Sequence, residues 1–146
     1  NIGYSLYLRM LEEAIYTLSG NMREENNVDV KLIVRAFLSP ELIASEALRL
    51  ELYRRFSHCE DTKNVYTIAK EIEERFGQLD IYSKQFLDLI IIKILARNAR
   101  ISKIFNYAEK ITLVFLDKQQ ETFYAETKDE EKVLQAVLKK LNILSK

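Results

Sequence analysis

The chain has 146 residues, 48% apolar and 30% charged, enough for one domain with a packed core. Its 22 basic and 22 acidic residues cancel, which argues against a general polyanion binder, because nonspecific affinity for nucleic acid needs an excess of cations. One cysteine excludes an internal disulfide and points to a reducing cytoplasm.

Residues 4–18, "YSLYLRMLEEAIYTL", place Leu8, Leu11, Ile15 and Leu18 three and four apart, the spacing of an amphipathic helix. Gly20 supplies a stop, and "NMREENN" reads as a loop. In "VDVKLIVRAFL", residues 28–38, Val28, Val30, Leu32 and Val34 alternate with Asp29, Lys31, Ile33 and Arg35, which predicts a strand with one drier face. Pro40 ends it, having no N–H to give to a ladder. A helix is expected over 43–57, with Leu48, Leu52, Arg55 and Phe56 at helical spacing. Asp61 is placed to cap the next helix, which runs to Phe76 with Val65, Ile68, Ile72 and Phe76 inward. Gly77 suits a left-handed cap behind it.

Asp80 is placed to cap a third helix reaching about Ala99, apolar on more than one side. Its run "FLDLIIIKILA" is too short to span a bilayer and carries Asp88 and Lys93. Beyond Arg100 a weak strand over 101–107 and a clearer one through Ile111, Leu113 and Phe115 flank "AEK", a hairpin turn. "ETFYAET" is a third candidate strand. Thr127 and Glu130 stand at capping-box spacing before a last helix with Val133, Val137 and Leu141 inward, beside Leu134 and Leu138. The sum is α+β: a mainly helical part (1–99) with one strand, then an α/β part (100–146) with a small antiparallel sheet and a closing helix.

Chemistry-bearing constellations are sparse. With 3 glycines the sequence offers no phosphate-cradling loop. His58 and Cys59 are the sole His and Cys, too few for a metal site. As neighbours on a helix end their side chains diverge by about 100°, which does not suit a nucleophile and its base. Glu12/Glu13, Glu24/Glu25 and Glu130/Glu131 fall on exposed faces or loops rather than in a desolvated site. The 8 tyrosines and 7 phenylalanines sit mostly at core spacing. No catalytic residue, metal or cofactor is expected in this chain.

The most charged helix is "KEIEERFG". With Ile72 at the centre of the buried stripe, Glu71 lies about 100° away and Glu74 about 200°, three residues apart and neighbours on the surface. Thr67 is one turn before Glu71, and Lys70 beside it. These residues are either a solvated helix face or an acidic docking spot for a basic partner.

"NIGYSLYLRMLEEA", "LRLELYRRF" and "EIEERFGQL" together resemble the C-terminal domain of bacterial transcription-repair coupling factors (Mfd). The first fits that family's pattern G-[FY]-x-L-Y-x-x-[ML]-L-E-x-A, which follows a RecG-like translocase motor. With the start at Asn1, it suggests a piece of a longer polypeptide. The resemblance covers essentially the whole chain, is strong through Leu79 and looser after Arg100. Where family members often carry proline after "RFG", this sequence has "QLDIYSKQ". The resemblance implies a cytoplasmic nucleotide-excision-repair protein that removes stalled RNA polymerase from DNA with ATP and Mg in the parent motor, and recruits UvrA through a UvrB-like module. It implies that this domain is non-catalytic and autoinhibitory, docking on the UvrB-like module through acids matching Glu71 and Glu74, with Thr67 and Lys70 at the rim.

A rival reading is an adaptor that binds nucleic acid or RNA polymerase through a basic patch of Arg49, Arg54, Arg55 and Lys63. Ion pairing of these residues around Glu51 is the plainer alternative. A small hydrolase is a weaker third reading, countered by the lack of a nucleophile–base set.

Overall fold

A computed structural model describes residues 27–145. The helix expected over 4–18, the stop at Gly20 and nearly all of the loop after it lie outside the described residues. The described chain forms two compact units, one of residues 35–87, the other of residues 27–34 and 88–145.

The first unit is built on helices. α1 (Glu46–Ser57) starts at Ser45, whose Oγ accepts the Leu48 N–H at 3.2 Å. The expected helix therefore begins three residues late, because Pro40 and its neighbours form a turn in which the Ser39 carbonyl accepts the N–H groups of Leu42 and Ile43. α2 (Thr62–Phe76) is capped as expected: Asp61 Oδ1 accepts the Asn64 N–H at 2.8 Å. Val65, Ile68, Ala69 and Ile72 are its buried stripe. Gly77 follows with φ +102° and ψ −170°. That is positive φ as expected, but not the left-handed helical region; extended ψ puts it in a region essentially reserved for glycine.

α3 (Ile81–Asn98) begins in this unit. Asp80 precedes it, its carbonyl accepting the Lys84 N–H. Asp80 Oδ1 is buried with no hydrogen-bond partner among the described residues. The Phe86 ring receives two edge-to-face neighbours, Tyr53 at 5.1 Å and Phe56 at 5.5 Å between centroids. Phe56 is 1% exposed.

The expected strand over 28–38 shrinks to β1 (Asp29–Lys31). Its alternation of burial is present: Ile33 is exposed where Val28 is buried. The ladder stops because the backbone beyond it is satisfied otherwise. Asn106 Oδ1 takes the Ile33 N–H at 2.8 Å, and the Leu32 carbonyl takes that of Val34. Further on, Gln85 Nε2 donates to the Arg35 carbonyl, the Phe37 N–H to the Tyr82 carbonyl, and the Leu38 N–H to Tyr53 Oη. Residues 35–38 are thus strapped to helices, and Phe37 stacks on Tyr82 with ring centroids 4.8 Å apart.

The second unit carries a mixed sheet in the order β1-β2-β3-β4, with β2 (Ile101–Tyr107), β3 (Lys110–Phe115) and β4 (Gln120–Tyr124). The three later strands form the expected antiparallel meander, and β1 joins β2 in parallel. The α+β class holds. A parallel edge was not foreseeable, since pairing across some seventy residues leaves no local mark. Ala108, with φ 52°, and Glu109 turn the first hairpin.

Ile104, Ile111 and Leu113 point to one side of the sheet, where they meet Ile92 and Ala96 of α3. α4 (Glu130–Leu144) closes that side with Val133, Leu134, Val137 and Leu141. The capping box before α4 does not form. Asp129 is the N-cap without a side-chain bond, and Thr127 Oγ1 instead accepts the Asp129 N–H two residues on. A hydroxyl engaged in that local turn cannot also reach the helix amides.

Candidate docking surface

On α2 the residues Thr67, Lys70, Glu71 and Glu74 fall at i, i+3, i+4 and i+7, and all four are exposed. The buried stripe from Val65 to Ile72 has the same spacing two residues earlier. Two positions on a helix are about 200°, so the polar stripe is diametrically opposed to the core. Asp61 and Gly77 fix the two ends of this helix, and the apolar stripe fixes its rotation. Thr67 Oγ1 donates to the Lys63 carbonyl one turn back, which keeps it on the helix surface.

The two acids differ in their surroundings. Arg55 Nη1 on α1 lies 2.7 Å from Glu71 Oε2, with both side chains roughly half exposed. That hydrogen bond lowers the Glu71 carboxyl from its ordinary value, opposed by desolvation and assisted by the charge of Arg55. The same bond raises the Arg55 guanidinium above its ordinary value. Glu74 has no ion pair among the described residues. Glu71 is therefore committed within its own unit, and Glu74 is the acid presented to solvent.

The residues of the rival basic patch each have their own surroundings. Arg49 Nη1 donates to the carbonyls of Ile43 and Ala44 ahead of α1. Arg54 faces Glu51 at 4.0 Å and Arg55 holds Glu71. Lys63 is exposed in the first turn of α2. Sequence reading had assigned Arg55 to the patch and missed its role as the partner of Glu71. No helical spacing rule links residues on separate helices, so nothing local could have signalled the pair.

Cys59 is buried and its Sγ donates to the Arg55 carbonyl at 3.5 Å. Burial, then the charge of Asp61, push its thiol up, opposed in part by Arg55. A thiol held protonated is a poor nucleophile. His58 is exposed at the end of α1. Among the described residues no three His, Cys, Asp or Glu side chains gather as for a metal ion. No helix among them is long and apolar enough to cross a membrane.

Comparison with known proteins supplies the family. The sequence model of the TRCF domain matches residues 32–126. A transcription-repair-coupling factor of Helicobacter pylori is 51% identical over 142 residues, covering 97% of this chain and 14% of that protein. One from Staphylococcus aureus is 31% identical over 106 residues, covering 70% of the chain and 9% of its own length. The chain thus spans about a seventh or less of these relatives. A crystal structure of the C-terminal domain of a transcription-repair coupling factor superposes with a TM-score of 0.67, at 16% identity, over 82% of this chain and 96% of that one. The chain belongs to the TRCF domain family, with the C-terminal domain of a transcription-repair coupling factor as its counterpart of known fold.

Proposed function

We propose that this domain is the non-catalytic regulatory part of a transcription-repair coupling factor, acting as a latch. Its acidic stripe on α2 docks on a basic face of a UvrB-like module in the same polypeptide and masks the surface that recruits UvrA. The parent would be an ATP- and Mg-dependent DNA translocase that displaces stalled RNA polymerase.

The observation that carries this reading is the opposed pair of stripes on α2. One is wholly buried, and the other presents Thr67, Lys70, Glu71 and Glu74 outward on a rigid, doubly capped helix. A docking surface must be exposed before it binds, and a helix holds charges in register better than a loop does. Exposed charge pairs are weak individually. Tethering supplies the missing strength, because a module on the same chain is present at an effective concentration in the millimolar range. A latch of this kind closes at rest and opens when the motor strains it.

The test is capture of UvrA by the complete polypeptide carrying Glu74→Lys, alone and with Glu71→Lys. Capture should rise over wild type, already with Glu74→Lys, which breaks no ion pair among the described residues. Unchanged capture in the double variant would remove the stripe from any latch.

A further inference from the structure

We propose that the face of the sheet away from α3 and α4, on which Tyr107 and Tyr124 stand exposed around the buried Thr112, is a binding platform for single-stranded nucleic acid. Residues directly opposite in antiparallel strands share a face, so the register places Tyr107, Lys110 and Tyr124 in one row across β2, β3 and β4. Tyr107 is 81% exposed and Tyr124 65%. One step along the strands, Phe105 pairs with Thr112 and Thr112 with Thr122. The two threonine hydroxyls are 3.3 Å apart, which confirms that this row shares a face. Lys103 joins the same side, its Nζ lying 5.3 Å from the Phe105 ring centroid, and Lys31 stands beside Phe105 on β1.

The face therefore interleaves three aromatic rings with three lysines. Its one acid in the paired register, Asp29, is 3.8 Å from Lys31. This is a local excess of cations on a chain whose total charge is zero. The rings of Phe105 and Tyr107 stand two residues apart on one strand, about 7 Å. Tyr107 and Tyr124 are separated by two strand spacings, roughly 10 Å. Those gaps are too wide for ring-on-ring stacking, and they leave each ring a face for one unstacked base. Lysines between rings meet the phosphates that link such bases, and rings lying on a sheet stack on bases that are already unpaired. Single strands are recognised by this combination of stacking surfaces and cations. An acidic peptide would use the lysines but would leave two solvent-exposed tyrosines without a purpose.

The experiment is fluorescence anisotropy of a labelled oligothymidylate with the 146-residue chain at low salt. Binding is expected, with log affinity falling against log salt at a slope of about −2 for three phosphate contacts, and about 0.7 shallower in Lys110→Gln. Tyr107→Ala and Tyr124→Ala should each weaken binding roughly tenfold, and the matching Tyr→Phe variants should retain it. Both tyrosines are exposed, so these changes spare the core, and a circular dichroism melt confirms folding. The proposal is overturned by an absence of binding at low salt, or by binding that the alanine variants leave intact. It is equally overturned if a polyglutamate peptide binds the face and the oligonucleotide does not. Binding lost on neutralising Arg54 and Lys63 but not the sheet lysines would place the site on the helices and refute it.

Discussion

Arg55 on α1 and Glu71 on α2 are joined by a contact of 2.7 Å between Nη1 and Oε2. Two residues that sequence reading assigned to rival surfaces, one basic and one acidic, are partners. The contact ties the two helices at their solvent edge while the apolar stripes beneath them supply the core.

If the contact stabilises the unit, Glu71→Gln lowers the melting temperature of the chain and Glu74→Gln does not. The gap should shrink at high salt, since the screening length falls to about 3 Å at 1 M. Thermal melts of both variants at two salt concentrations check this. Equal melting temperatures would mean that Arg55 and Glu71 meet without consequence for stability.

The same pair sets a pH dependence. The Glu71 carboxyl is held below its ordinary value in the folded state. Its contribution is therefore fully present above the unfolded glutamate value and is lost as pH falls through the folded one. The stability difference between wild type and Glu71→Gln should be present at neutral pH and close on acidification. Urea titrations across the acid range measure it, and a difference persisting in strong acid would assign it to packing.

Gly77→Ala should destabilise by about 1–3 kcal/mol, through backbone conformation alone. An added Cβ meets nothing within 4 Å, but φ is +102° with extended ψ. Asparagine, which relieves strain in the left-handed helical region, should fare no better here. Denaturant unfolding of both variants decides the point: rescue by asparagine would show that the residue relaxes into the left-handed helical region.

Tyr53→Phe should cost about 1–3 kcal/mol, because the buried Leu38 N–H loses its acceptor 2.8 Å away. The edge-to-face contact with Phe86 is kept, so the loss is polar rather than steric. Guanidinium unfolding gives the magnitude, and faster hydrogen exchange at Leu38 locates it. An unchanged exchange rate there would refute the assignment.

Elements governed by neighbours in the chain were legible from the residues. The stripe of Val65, Ile68 and Ile72 and the Asp61 cap appear as the patterns predict, and so does the strand through Ile111 and Leu113, although Thr112 between them is buried as well. Errors came where another hydrogen-bond partner intervened, distant in one case and local in another. β1 ends at Lys31 because Asn106, far along the chain, supplies an acceptor to Ile33. The capping box fails locally, because Thr127 Oγ1 accepts the Asp129 N–H two residues on. Tyr107 and Tyr124 lie at alternating positions like core residues, yet they face outward because their parity in the strand is opposite to that of Ile104 and Ile111.

By itself the sequence determined the helices among the described residues, the antiparallel strands and the outward placement of Glu71 and Glu74. Each depends on periodicity or local capping, which act over a few residues. Tertiary structure alone decided that β1 pairs in parallel, that Arg55 holds Glu71, and that three rings and three lysines gather on one face of the sheet. Those relationships join residues tens of positions apart, and only the folded chain brings them within the few ångströms over which hydrogen bonds and ion pairs act.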